Sequence, residues 1–203
     1  RARVQLAHLH HGHDIAASAP SQGLPSGSAT TLLALKARPT FVMLGTIEPR
    51  KGYGQALAAF EQLWRGGVDV NLAIVGAEGW RSLPDAERRD IPQLVSTLSR
   101  HAEAGRRLFW LQGASDEYLA EIFAASDCLI AASLGEGFGL PLIEAAQAGL
   151  PILARDLPVF REVAGDYPTY FSGATADRLS EAVVKWLHSG LAGAHGWKLY
   201  LES

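Results

Sequence analysis

Between Cys128 and Ala148 the chain reads Cys-Leu-Ile-Ala-Ala-Ser-Leu-Gly-Glu-Gly-Phe-Gly-Leu-Pro-Leu-Ile-Glu-Ala-Ala-Gln-Ala, an order of residues that few folds accommodate. The apolar run Cys128 to Ala132 predicts a buried strand. Pro141 suits the first turn of a helix, and Gly149 closes that helix just before Pro151. Gly135, Gly137 and Gly139 therefore form a sharp turn from the carboxyl end of a strand into the amino end of a helix. In that geometry backbone N–H groups and the helix dipole hold an anion, most often a phosphate. Two carboxylates flank the turn, Glu136 in the loop and Glu144 in the helix. Beside a phosphate a carboxylate serves as a hydroxyl acceptor, and sugars offer hydroxyls in pairs. The local reading is a site for something phosphorylated and sugar-like. The bland alternative is that glycines end strands in many α/β proteins and that Glu144 is merely solvated.

The rest of the chain repeats the strand–helix alternation. Strands are expected at Phe41–Gly45, Val70–Gly76, Leu108–Gln112, Cys128–Ala132, Pro151–Ala154 and Thr169–Phe171. Between them the spacing predicts helices over Tyr53–Trp64, Leu94–Ala104, Asp116–Ala125 (with Ser115 as N-cap), Pro141–Ala148, Val159–Val163 and Ala176–Ser189. Nearly all-apolar strands in such an alternation mean a parallel sheet covered on both faces, a Rossmann-like three-layer α/β fold. Ligands of these sheets sit beyond the carboxyl ends of the strands. That rule draws in Gly45 and Thr46, the adjacent cations Arg50 and Lys51 on a loop stiffened by Pro49, and the loops after Val75 (Gly76) and Leu111 (Gln112). Arg grips two phosphate oxygens and Lys adds a point charge. Trp80 and Trp110 are placed to pack against a ring, but a large aromatic near a strand end is more often core.

Residues 1–38 read as irregular: a short strand within Arg3–His10, then a Ser/Pro/Gly-rich run from Ser18 to Ser28. His8, His10, His11 and His13 tempt a metal assignment but lack the scaffold a tetrahedral site needs. A net charge of −3 over 203 residues gives no reason to expect nucleic acid as a partner. Cys128 alone cannot form a disulfide within the chain and reads as a core residue. With neither a membrane-length apolar run nor a leader-like opening, a cytoplasmic protein is expected.

The stretches Gly45-Thr46-Ile47-Glu48-Pro49-Arg50-Lys51-Gly52, Val75-Gly76 and Glu136-Gly137-Phe138-Gly139-Leu140-Pro141 with Glu144 resemble the C-terminal domain of the retaining glycosyltransferases of family four. The resemblance covers residues 40 to about 190 and implies one half of a GT-B fold. The text Gly76-Ala77-Glu78-Gly79-Trp80 and the run from Arg155 to Gly165 look like the branch that transfers mannose or related deoxyhexoses in bacterial polysaccharide and lipopolysaccharide (O-antigen) assembly. The resemblance implies that Glu136 contacts the transferred sugar and Glu144 the ribose. Arg50 and Lys51 would bind the diphosphate, assisted by N–H groups around Phe138, Gly139 and Leu140. Many relatives carry arginine where this chain has Thr46, so Arg50 must supply that charge. The donor implied is a GDP-linked sugar, with no metal or other cofactor, and retention through attack on the face from which the leaving group departs. The acceptor, a glycan or lipid-linked saccharide, would be bound mainly by an N-terminal domain, with the full enzyme at the inner face of the bacterial inner membrane. On this reading residues 1–38 are the end of that domain and a linker, 39–190 the nucleotide-sugar-binding domain, and 191–203 a cut tail.

Two rivals stand beside it. Gly135, Gly137 and Gly139 also mimic the loop of a dinucleotide-binding oxidoreductase, with Asp156 after the next strand. The G-x-G-x-G spacing and a turn that is not the first of the sheet oppose this. A nucleotide-sugar-binding module without catalysis is the other; intact Glu136, Glu144, Arg50 and Lys51 weigh against decay.

Overall fold

The computed structural model describes residues 23–189. Its elements run α1 (Ser28–Lys36), β1 (Thr40–Leu44), α2 (Tyr53–Arg65), β2 (Asn71–Val75), α3 (Ile91–Arg100), β3 (Leu108–Leu111), α4 (Asp116–Ala124), β4 (Cys128–Ala131), α5 (Leu140–Gln147), β5 (Ile152–Arg155), α6 (Pro158–Ala164), β6 (Thr169–Phe171) and α7 (Ala176–His188). The strand near Arg3–His10, the histidine group and the tail from 191 lie outside the described residues.

The six strands form one parallel sheet in the order β3-β2-β1-β4-β5-β6. The chain runs outward from β1 to β3, then returns to β4 on the other side of β1. Strand order therefore reverses between β1 and β4, which opens a crevice above their carboxyl ends. This is the expected Rossmann-like sheet.

Alternate residues of the strands feed two cores. Phe41, Met43, Leu72, Ile74, Cys128, Ile130 and Leu153 pack with α2 and α7, where Phe41 meets Phe60 and Trp186 edge-on at 5.6 and 5.2 Å. Val42, Ala73, Val75, Leu129, Ala131, Ile152 and Ala154 face Leu32, Leu35, Ile122, Leu142 and Phe160 on the opposite side. Cys128 is fully buried in the first of these cores, and burial pushes its thiol well above the ordinary range.

Two features depart from expectation. Helix α1 stands where irregular linker is expected. It belongs to the sheet: Leu32 and Leu35 are buried, the Asn71 amide donates to Ala34 O at 3.0 Å, and Thr40 Oγ1 donates to Leu35 O at 2.7 Å. Its cues are weak because Gly27, with φ 83°, precedes it without a side-chain cap and its apolar run is short. Helix α3 begins and ends about a turn earlier than expected, because Pro92 fits its first turn and His101 turns extended.

Gly76 follows β2 so close to its neighbour that a Cβ would lie 2.0 Å from Gly45 O, and its φ is 155°. Gly76→Ala is therefore expected to destabilise the fold by about 2–3 kcal/mol, read as a lower urea midpoint at unchanged slope. An unchanged midpoint would mean that the two loops part easily.

Candidate nucleotide-sugar site

Above the β1/β4 switch lies an open cleft of about 510 Å³, lined by Leu44, Gly45, Thr46, Glu48, Arg50, Lys51, Leu119, the run Glu136 to Pro141, and Glu144. That size suits a nucleotide sugar. Two loops build it. From β1, Pro49–Lys51 forms one 3₁₀ turn that ends at Gly52, whose φ of 76° only glycine tolerates easily. No side chain would fit there, since a Cβ would come within 2.3 Å of Ala132 O. From β4, the chain runs through Ser133 into the glycine turn. Gly139, at φ 92°, is the N-cap of α5 and packs so closely on Phe160 that a Cβ would lie 2.9 Å from its ring. The Leu134 N–H donates to Arg50 O at 2.7 Å and joins the two loops.

At their junction stands a three-charge cluster. Glu136 accepts from Arg50 Nη1 at 2.5 Å through one oxygen, and through the other from Lys51 Nζ and from Ser133 Oγ, the latter at 3.0 Å. Arg50 Nε also reaches Glu48 at 2.9 Å. The Glu136 side chain is 8% exposed and Lys51 12%, whereas Arg50 is 47% exposed at the mouth. Burial opposes the charge on Glu136, but Lys51, Arg50 and Ser133 together outweigh it and hold the carboxyl below its ordinary value. Arg50 is raised in turn: burial opposes its charge, while Glu136 and Glu48 favour it. Tyr53 donates its hydroxyl to Gly45 O, and its phenol is raised by burial and then by Glu136.

The depressed carboxyl has a thermodynamic sign. Its contribution to stability is present above its ordinary value of 4.5 and is lost as pH falls through the lower folded value. Between about pH 6 and about pH 3 the wild type is expected to lose more melting temperature than Glu136→Gln. Parallel losses would mean that the cluster does not hold in solution.

Most residues singled out from the sequence meet in this cleft: Gly45, Thr46, Arg50, Lys51, Glu136, Gly137, Phe138, Gly139, Leu140 and Glu144. Gly76 and Gln112 do not line it; Gly76 is packed on Gly45, and Gln112 is exposed after β3. Ser133, Glu48 and Leu119 join the site without a distinguishing sequence signal of the kind used above. For Ser133 a weaker cue exists, as the polar residue that ends an apolar strand at the ligand edge. Trp110 packs on the core and donates to Gly76 O at 2.9 Å, whereas Trp80 stays at the surface beside Arg89. Among the described residues no group of three or more His, Cys, Asp or Glu side chains is placed to hold a metal ion.

A parallel sheet with a charged cleft at its switch point, entered by a glycine turn, is a frame suited to an anionic ligand, and the family follows from comparison. Residues 32–197 match the family model described as glycosyl transferases group 1, and the chain belongs to that family. Among curated relatives, it is 48% identical over 190 residues to the serotype-specific mannosyltransferase WbdA of Escherichia coli, covering 94% of this chain and 22% of that protein. It is 28% identical over 148 residues to the O-antigen chain mannosyltransferase B of Escherichia coli, covering 71% of this chain and 35% of that one. The chain thus spans about a fifth to a third of the length of these two relatives. Its fold matches the C-terminal domain of a glycosyl transferase group 1 family protein (LpcC) from Francisella tularensis. The TM-score is 0.63 at 19% identity, over 89% of this chain and 91% of that one. The expected half of a GT-B fold is therefore the observed one.

Proposed function

We propose that this domain binds the donor of a retaining hexosyltransfer reaction, a GDP-linked mannose or related deoxyhexose, for transfer to a glycan or lipid-linked acceptor. The observation that carries the reading is the meeting of Arg50, Lys51 and Glu136 at the mouth of the glycine turn. The names of the two mannosyltransferase relatives supply the hexose. In this reading the diphosphate takes Arg50 and Lys51 together with the amide groups of Phe138 to Leu140. Glu144 on α5 takes the ribose hydroxyls, and Glu136 the hydroxyls of the sugar.

The chemistry follows from charge. Breaking the sugar–phosphate bond leaves negative charge on the diphosphate and positive character on the anomeric carbon. Two fixed cations and a helix amino end stabilise the first, and the carboxylate of Glu136 stabilises the second. A resident metal is not required by this assignment. A nucleophile of the retaining-glycosidase kind works in a carboxylate pair about 5 Å apart. With Glu144 given to the ribose, attack on the departing face is the simpler course. The acceptor would lie largely on residues beyond this chain. The reaction is placed on the cytoplasmic side, at the membrane face where a lipid-linked acceptor would be reached. Among the described residues no helix is long and apolar enough to cross a membrane.

A thermal-shift panel of GDP, UDP, dTDP, ADP and NAD tests the reading. At a hundredfold excess over Kd a ligand stabilises by about 2.7 kcal/mol, a rise of several degrees for a domain of this size. GDP is expected to give the largest shift. A shift with NAD alone would replace the proposal with a dinucleotide enzyme.

Glu144→Ala is expected to weaken ribonucleotides more than their 2′-deoxy analogues, because a carboxylate bridging two hydroxyls loses one partner in the deoxy series. Equal weakening in calorimetric titration would remove Glu144 from the ribose.

A further inference from the structure

Arg155, the last residue of β5, lies beneath the site and outside the cleft's lining. It is 6% exposed, and burial lowers its pKa. A buried guanidinium ordinarily sits against a carboxylate. Here every oxygen it donates to among the described residues is neutral. Nε donates to Ser133 O at 2.8 Å and Nη2 to Ala132 O at 3.0 Å, while the remaining N–H groups reach Gly173 O and the side-chain carbonyl of Gln55. Its planar face lies 5.2 Å from the Phe171 ring centre. The fixed fork of the guanidinium thus gathers the segments that follow β4 and β6, together with α2, around one point.

Two of these acceptors are the backbone carbonyls that lead directly into the glycine turn. Ser133 then donates its hydroxyl to Glu136, and the next amide, that of Leu134, donates to Arg50 O. Gly52 also approaches the Ala132 carbonyl closely, since a Cβ on Gly52 would come within 2.3 Å of Ala132 O. The segment 132–134 is therefore held between Arg155 and the loop that bears Arg50 and Lys51.

We infer that Arg155 is a positioning residue for the donor site, which aims Ser133 and Glu136 by fixing the Ala132 and Ser133 carbonyls; this rests on the reading of Glu136 as the carboxylate that contacts the donor sugar. Lysine keeps the charge but cannot hold two carbonyls and Gln55 in one plane.

The test is a double-mutant cycle between Arg155→Lys and Glu136→Gln, with turnover measured on the complete protein that carries this chain. Alone, Arg155→Lys is expected to lower kcat about tenfold while leaving the GDP dissociation constant within about threefold. In the Glu136→Gln background it is expected to cost less than about twofold, since the group it aims has lost its charge. A full tenfold loss in both backgrounds would show a general structural role and overturn the inference, as would an unchanged kcat in the single variant. If Glu136→Gln itself leaves turnover normal, the functional reading fails instead. Should Arg155→Lys not fold, Gln55→Ala takes its place in the cycle. It loosens the guanidinium from a half-buried position, with the same sign expected and the same additivity as the contrary result.

Discussion

Glu136→Gln is expected to cut turnover of the complete enzyme about a hundredfold or more while tightening the binding of a bare nucleoside diphosphate. The first half follows from the proposed place of the carboxylate at the reacting centre, where one electrostatic contact commonly carries about 3 kcal/mol. Gln keeps the shape and most hydrogen bonding, so the change removes charge. From the sequence alone the second half would be an affinity almost unchanged, with Glu136 lying beyond the phosphates. The structure alters that expectation. Glu136 pairs with both cations that the diphosphate would take in the proposed site, so GDP must displace it. Neutralising it is expected to tighten GDP by about tenfold, roughly 1.4 kcal/mol. Near-normal turnover would mean that the charge is dispensable. A loss of GDP affinity would place Glu136 on the nucleotide and not on the sugar.

Lys51→Ala has the next largest expected effect. A charge-assisted contact to phosphate contributes about 1.5–3 kcal/mol. The dissociation constant for GDP should therefore rise about tenfold to a hundredfold, whereas that for guanosine should hardly move. Lys51 is the more enclosed of the two cations, and its ammonium faces the carboxylate across the cleft wall, so water compensates for its loss less than for Arg50. Equal losses for GDP and guanosine in calorimetric titration would take Lys51 out of the phosphate site and leave it a structural partner of Glu136.

Much of the frame could be read from residues alone, for local reasons. The β4–turn–α5 unit carries its cues within twenty residues: an apolar strand, three glycines, Pro141 and Gly149. Ser115 as N-cap of α4 was equally legible, and it accepts from the Tyr118 N–H at 3.2 Å. What escaped was set by distance in sequence. Nothing local says that Glu136 will meet Arg50 and Lys51, which stand 86 and 85 residues earlier in the chain. That meeting is a product of the β1/β4 pairing, Phe41 beside Cys128. Gly76 reads in sequence as a ligand-edge glycine, yet its need is the close approach of Gly45. Helix α1 was hidden because its stability comes from Leu32 and Leu35 against α4 and the sheet, not from caps or propensity. Arg155 ends an apolar strand with no carboxylate near it in sequence except Asp156. Its value lies in carbonyls that folding brings to it.

The measurement that bears most directly on the central claim is a crystal structure with GDP bound. The account predicts diphosphate oxygens within about 3 Å of Lys51 Nζ and the Arg50 guanidinium, against the amides that open α5, with Glu136 turned off both cations. A structure in which Glu136 still bridges Arg50 and Lys51 while the diphosphate lies elsewhere would contradict it.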